Sequence, residues 1–449
     1  MLKKLGAVVL CLACLTPLAI GADQGGRKIA FQDIKLKNGL RVILSEDHSA
    51  PTYAIALTFN VGSRNEVKGR TGFAHLFEHM MFQGSQNVGK GEHMLLIEEN
   101  GGTMNGSTNA DRTNYFESLP ANQLDLGLFV ESDRMRSLAV NQANLDNQRN
   151  AVQEERRLRV DNQPYGKTQE VVLATVYDNF AYKHSTIGSM DDLNAATISD
   201  VQQFFKTYYA PNNVVLTLVG DFDSKVALAK VKKYFEDIPS QPQPAEPDMT
   251  EPKQAAERRA TVEDAFAPFP RLQIVFKGAR GNTPDQYALS VLMDILAGGQ
   301  SSRLYQKLVR EQQLAIAIQG FAQASRGTGL VTFGVQPRPG KDMAEIEKVI
   351  YAEVDRIKTE PPAAWELAKV VAGVKTRRAN QLQTTLSRAT TMGQDTVYFN
   401  DPDLVNTMVQ KYAAVTPADV QRVAAQYLVE TNRTVVTTVP KKAAASAGQ

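Results

Sequence analysis

The sequence predicts an α+β fold of two duplicated domains, each a mainly antiparallel β-sheet flanked by helices. Three observations carry this. A segment of the first half recurs without a gap in the second, and a proline-rich stretch divides the chain near its middle. Within each half, β-branched runs lie close enough in sequence to pair antiparallel between helical segments. At 449 residues the chain exceeds one ordinary core and suits two domains of roughly 200 residues. With 43% hydrophobic and 22% charged residues it has the balance of a soluble globular protein.

Taken in chain order, Lys3 and Lys4 precede an apolar run from Leu5 to Ile20 and the small residues Gly21 and Ala22. That is the layout of a secretory signal peptide over residues 1–21. An uncleaved anchor is the rival reading, but Pro17 interrupts the run, which falls short of the roughly 20 residues of a span. Both cysteines, Cys11 and Cys14, lie in this segment. The apolar stretch continues past Cys14 and argues against its lipidation. The mature chain then has no cysteine, which excludes disulfide and thiol chemistry. Cleavage removes two of the 50 basic residues and none of the 48 acidic ones, leaving a charge near zero. Nothing points to nucleic acid. No later apolar run approaches spanning length, so no membrane span is expected after cleavage, and a periplasmic or secreted location follows.

Strands are expected at Leu40–Leu44 and Tyr53–Val61, where Ile55, Leu57, Phe59 and Val61 alternate with smaller or polar residues. An uninterrupted segment from Phe73 to Gln83 reads as a helix, and further helical patterns cover Asp125–Leu138 and Asn144–Val160. The repeat begins at Thr197-Ile-Ser-Asp200-Val201-Gln202, followed by Tyr208. It recurs as Thr416-Pro-Ala-Asp419-Val420-Gln421, followed by Tyr427, and at the same offset Asn213 falls on Asn432. A β-branched strand follows each time, at Val214–Val219 and Thr434–Val439. The stretch from Ile238 to Pro252 is rich in proline, lacks apolar periodicity and reads as a linker. Beyond it, a strand is expected at Leu272–Phe276 and helices at Tyr287–Leu296 and Ala364–Leu386.

His75-Leu76-Phe77-Glu78-His79 carries the chemistry. On a helix, residues four apart share a face, so His75 and His79 project together and can ligate one ion. Glu78 reaches the same side without binding the metal. A base beside a metal-activated water is what amide hydrolysis requires. The alternative is two unrelated histidines beside a chance glutamate, which this spacing disfavours. Catalytic zinc takes three protein ligands plus water. From spacing alone the third stays open among His48, His93 and His184, each in a loop-like context, and Glu154 or Glu155 on a long helix.

Three segments together resemble the pitrilysin/insulinase family, particularly its shorter branch containing mitochondrial processing peptidase. They are the inverted His-x-x-Glu-His motif, the later Ala151-Val152-x-x-Glu155, and the intervening Gly101-Gly102-Thr-Met-Asn105-Gly-Ser-Thr108…Asp111-x-Thr113-x-Tyr115. The resemblance covers nearly all of the mature chain, including Gly298-Gly299-Gln-Ser-Ser302-Arg303-Leu304, which lacks the lysine of a phosphate loop. The family's third ligand is a glutamate at a characteristic separation beyond the second histidine, and Glu155 stands at that separation from His79. The resemblance therefore implies one Zn2+ per chain held by His75, His79 and Glu155, with Glu78 as general base.

It also implies a cavity enclosed between the two halves and an extended peptide or unfolded segment bound as an added strand. Asn105 and its neighbours would offer the backbone edge, and Arg310 in Val309-Arg310-Glu311 would contact the substrate carbonyl. The implied layout is a signal peptide at 1–21, a zinc-binding domain at 22–237, a linker at 238–256, a homologous domain at 257–440 and a flexible tail at 441–449. Three positions depart from the family pattern. Gln148 stands where many relatives carry a second glutamate, and Gly106 replaces a usual alanine. Ile316 stands where a carbonyl-holding tyrosine is typical, which points to a homodimer or a heterodimer with a paralogue that supplies it. A noncatalytic peptide-binding or assembly subunit is the alternative function.

Overall fold

The computed structural model describes residues 28–441. The leader expected at 1–21, with Cys14, and all but the first residue of the tail expected at 441–449 lie outside the described residues. The strands are β1 (Gln32–Lys35), β2 (Arg41–Glu46), β3 (Thr52–Phe59), β4 (Thr103–Thr108), β5 (Thr113–Pro120), β6 (Val214–Gly220), β7 (Arg258–Asp264), β8 (Arg271–Arg280), β9 (Ala315–Gln323), β10 (Thr328–Pro337) and β11 (Arg433–Pro440). They form a six-stranded sheet in the order β1-β2-β6-β3-β5-β4 and a five-stranded sheet in the order β7-β11-β8-β10-β9. Each sheet is antiparallel except for one pair, β2 with β6 and β7 with β11. Apart from β1, the two mainly antiparallel sheets therefore correspond strand for strand.

The repeat is visible in its hydrogen bonds. Thr197 and Thr416 each cap a helix, Ile198–Tyr208 and Pro417–Tyr427, through a reciprocal box with Asp200 and Asp419. Asn213 donates to the Tyr208 carbonyl at 2.9 Å, and Asn432 donates to the Tyr427 carbonyl at 2.8 Å. Residues matched by offset thus make the same bonds at the same point of each half.

Packing crosses the sequence boundary. The helix Thr168–Val176 lies on the second sheet, where Val172 and Val176 meet Val262, Val275 and Val436. Its counterpart at the offset of the repeat falls inside the helix Thr385–Phe399, which lies on the first sheet, where Ala389 and Met392 meet Ile43, Ala54, Ala56 and Val215. Each half thus covers one face of the other's sheet with an equivalent helix. Burying both apolar faces this way locks the halves together, at about 25 cal/mol per Å2 of apolar surface removed from water.

Two expected helix boundaries are corrected. The helix from Ala364 ends at Gln381 and a new one begins at Thr385, because the Thr384 hydroxyl accepts from the Ser387 amide and caps a fresh start. The helix from Phe73 stops at Met80 rather than Gln83. The Phe82 amide already bonds back only three residues, to the His79 carbonyl, and Gly84 then turns the chain at a φ of 94°. No helix among the described residues is long and apolar enough to cross a membrane.

Candidate metal centre

Helix α1 (Phe73–Met80) carries the motif. It begins at Gly72, whose φ of 87° is left-handed and where a Cβ would meet the Ile187 carbonyl at 2.6 Å. Glycine offers no side-chain cap, and the fold supplies one from elsewhere. The buried Glu66 carboxylate accepts from the Gly72 amide at 3.0 Å, the Ala74 amide at 2.8 Å and His184 Nε2 at 2.9 Å. A carboxylate at a helix N-terminus satisfies otherwise orphaned amides and complements the dipole. Phe73, Leu76, Phe77 and Met80 bury the opposite face and set the helix rotation.

His75 and His79 meet Glu155, which lies on α4 (Gln142–Arg156). Glu155 Oε2 is 3.5 Å from His75 Nε2 and 3.3 Å from His79 Nε2. The three ligating atoms all lie within 4.8 Å of one another. Two donors on a tetrahedral zinc, each bonded at about 2.0–2.2 Å, stand roughly 3.3–3.6 Å apart. The donor set fits zinc, as does the spacing of Glu155 from each histidine. Burial first, then His79, pushes the His75 imidazole down to about 4. A salt bridge to Glu155 would instead hold it protonated. Burial decides here, so His75 is neutral near pH 7 with a lone pair for a metal.

Glu154, the neighbouring alternative, is exposed and paired with Arg157. After Arg156 the helix widens into a single π turn, Arg157–Asp161, and Arg159 Nη1 holds the second oxygen of Glu155 at 2.6 Å. Gln148 Oε1 lies 3.3 Å from His79 Nδ1. With the Nδ1 proton directed there, Nε2 is left free to ligate, so a neutral amide takes the orienting position.

Glu78 is 9% exposed, and Thr108 donates to its Oε2 at 2.5 Å. Burial raises its pKa to about 7, opposed by that hydrogen bond and assisted by Glu155. A carboxylate poised near neutrality is suited to accepting and returning a proton. Gly106 lies over it, where a Cβ would stand 3.0 Å from Glu78 Oε1.

Asn105 sits on β4, which is the outer strand of its sheet, and its side chain accepts from the Gly106 amide. Arg310 is exposed, with its guanidinium 5.8 Å from the Tyr305 ring centre. No contact among the described residues joins it to His75, His79 or Glu155. Ile316 is 44% exposed on the edge strand β9.

The other histidines are explained separately. His48 is exposed and bonds Asp221 at 2.6 Å. His184 serves Glu66. His93 corrects the loop-like reading, because Gly91 with a φ of 78° starts the helix α2 (Glu92–Glu99) and buries it. There it faces Glu117 and Glu131, and Arg134 of α3 (Leu124–Ser137) binds Glu131 through two nitrogens. Glu66 is the support that sequence reasoning missed, while Gln148 stands out only through the family resemblance. An acid shortly before a glycine-started helix is the one local signal that points to Glu66.

Residues 41–189 match the family described as Insulinase (Peptidase family M16), and residues 195–374 match the Peptidase M16 inactive domain. The chain belongs to the M16, or pitrilysin/insulinase, family. The M16 chain is 29% identical over 408 residues to the zinc protease PqqE of Helicobacter pylori, covering 90% of this chain and 92% of that protein. A crystal structure of a protease from Helicobacter pylori superposes with a TM-score of 0.86 at 29% identity, covering 92% of this chain and all of the other. The periplasmic protease PqqL of Escherichia coli shares the fold, with a TM-score of 0.76 at 20% identity over 93% of this chain and 49% of PqqL.

Proposed function

We propose that this M16 chain is a zinc-dependent endopeptidase acting on peptides or unfolded polypeptide segments. One Zn2+ per chain is held by His75, His79 and Glu155, and Glu78 is the general base. The observation that carries the reading is the convergence of three ligating atoms, with Glu155 at tetrahedral spacing from both histidines, one residue from a carboxylate whose pKa stands near 7.

Zinc bound there supplies Lewis acidity toward a water and the scissile carbonyl. Glu78 takes the proton of the attacking water on its carboxylate and passes it to the departing amine. Thr108 holds Oε2 through both steps and keeps the carboxylate aimed. Gln148 keeps the His79 lone pair directed inward. The open edge of β4 at Asn105 receives the peptide backbone as an added strand, and the bare backbone of Gly106 lets it approach Glu78.

In this reading residues 22–237 form the zinc-binding half and 257–440 the homologous half, joined by 238–256. The leader at 1–21 directs the enzyme to the periplasm or outside the cell. With Ile316 in place of a phenol, and Arg310 stacked near Tyr305, a second copy or a paralogue supplies the group that holds the carbonyl. PqqL, in which one chain is about twice as long, is consistent with paired units.

Metal analysis combined with Glu78→Gln tests the reading. The wild-type chain should carry one zinc and cleave a peptide mixture. Glu78→Gln should keep the zinc and lose cleavage by at least about a hundredfold. Equal, poor cleavage by both proteins would leave the noncatalytic subunit as the function. Full activity in a strictly monomeric fraction would rule out the need for a partner.

A further inference from the structure

The face of the β4–β5 pair turned away from α1 opens into a cavity of about 450 Å3. Its far wall is built by the second half, from the helices Ala364–Gln381 and Thr385–Phe399. Two guanidinium groups line it. Arg112 donates through Nη1 to the Ser107 carbonyl at 2.6 Å and hydroxyl at 2.7 Å, and through Nε to Gln394 at 3.4 Å. Arg378 is only 6% exposed, and it donates through Nη1 to Gln381 at 3.1 Å. Its Nη2 donates to the Leu404 carbonyl at 3.4 Å and stands 3.6 Å from Asp395 Oδ2 in an ion pair. Arg378 Nε is buried without a hydrogen-bond partner among the described residues, and Asp395 Oδ2 has only that ion pair. Buried polar groups are normally satisfied, so a guanidinium left partly unsatisfied beside a cavity favours a polar ligand there. One carboxylate against two guanidinium groups makes the cavity net positive.

The alternation of β4 says what reaches it. Thr108 touches Glu78 and Gly106 lies against it, so both face α1. Ser107, between them, faces the cavity and bonds Asn114 of β5. A peptide paired along the open edge of β4 alternates in the same way. One of its residues lies over Glu78, and the residues on either side of it turn toward the cavity.

We propose that this cavity is a substrate side-chain pocket selecting aspartate or glutamate beside the residue that lies over Glu78, with Arg378 and Arg112 receiving the carboxylate. The proposal rests on the peptidase reading above. Guanidinium groups suit it because their planar donors match a carboxylate in pairs, and a lysine side chain would meet repulsion instead.

The test uses the full chain carrying Glu78→Gln, so that bound peptide persists. Fluorescein-labelled extended peptides differing only in one central Glu, Gln or Lys are titrated by anisotropy. The Glu peptide should bind about tenfold or more tighter than the Lys peptide, and the gap should narrow between about 0.05 M and 0.5 M salt. Arg378→Gln in the same background should bring the Glu-to-Lys ratio close to one. If that variant does not fold, Arg112→Gln and the salt titration of the ratio decide. Equal binding of Glu and Lys peptides, or tighter binding of Lys, overturns the proposal. Cleavage of the same peptides by the wild-type chain is scored separately. Cleavage without acidic preference sinks the pocket and leaves the peptidase. Acidic preference without cleavage sinks the peptidase and leaves the pocket.

Discussion

Gln148→Leu removes the acceptor that holds the His79 ring. The contact between Gln148 Oε1 and His79 Nδ1 is 3.3 Å, long for a hydrogen bond between neutral groups. A net value of about 1 kcal/mol is appropriate, within the usual range of roughly 0.5–1.5 kcal/mol. At about 1.4 kcal/mol per tenfold, losing it weakens zinc binding roughly fivefold. That is below the roughly 10–100-fold typical when a ligand's outer partner is lost. Gln148→Glu moves the other way. A charge-assisted bond is roughly twice as strong, and the extra negative charge favours a cation. Part of the gain is offset because position 148 is only 9% exposed and Glu155 already faces the other nitrogen of the same ring. The net expectation is zinc held about tenfold more tightly by Gln148→Glu than by Gln148→Leu. Competition against a chromogenic chelator measures all three proteins. A Leu variant within twofold of wild type, or a Glu variant weaker than wild type, would refute the orienting role of Gln148.

Glu66→Ala strips the α1 start of its remote cap, leaving the Gly72 and Ala74 amides without their acceptor, while His184 keeps the Ser63 carbonyl at 3.1 Å. A loss of about 2–4 kcal/mol is expected in urea unfolding, with a smaller loss for Glu66→Gln, and a loss under about 1 kcal/mol would contradict the capping role. Asp395 carries a pH signature. Burial lifts its pKa to about 7 from 3.8, with Arg378 opposing. The folded chain therefore keeps a proton that the unfolded chain has released between about pH 4 and 7. Stability falls as pH rises through that window, by up to about 4 kcal/mol once above it. Asp395→Asn removes this dependence, so its urea midpoint should gain on wild type between about pH 5 and pH 8, and parallel midpoints at both pH values would count against the assignment.

Much of the fold was legible because its signals are local. Alternation and β-branched runs placed β2, β3, β6 and β11 to within two residues at each end, and the first half of β8. The constant offset of the repeat identified pairs that turned out to share capping boxes and asparagine bonds. The helix boundary at Thr384 was missed because a helical pattern running through Leu386 conceals a capping hydroxyl that only the turn exposes. His93 was misread because flanking glycines mimic a loop, whereas Gly91 is the start of α2.

The pairing of His75 with His79 follows from helical pitch, and the sequence by itself determined that much of the candidate centre. So did the placement of Glu78 beside it. The approach of Glu155, the hydrogen bond from Thr108, the cap from Glu66 and the orientation by Gln148 all come from other elements than the helix they serve. Only the tertiary structure decided them, because the direction of a side chain across an interface depends on how helices and sheet pack, not on spacing along the chain. The exchange of equivalent helices between the halves is the clearest such case. Each helix carries apolar residues in its own sequence, yet which sheet they cover is decided by burying them against the other half.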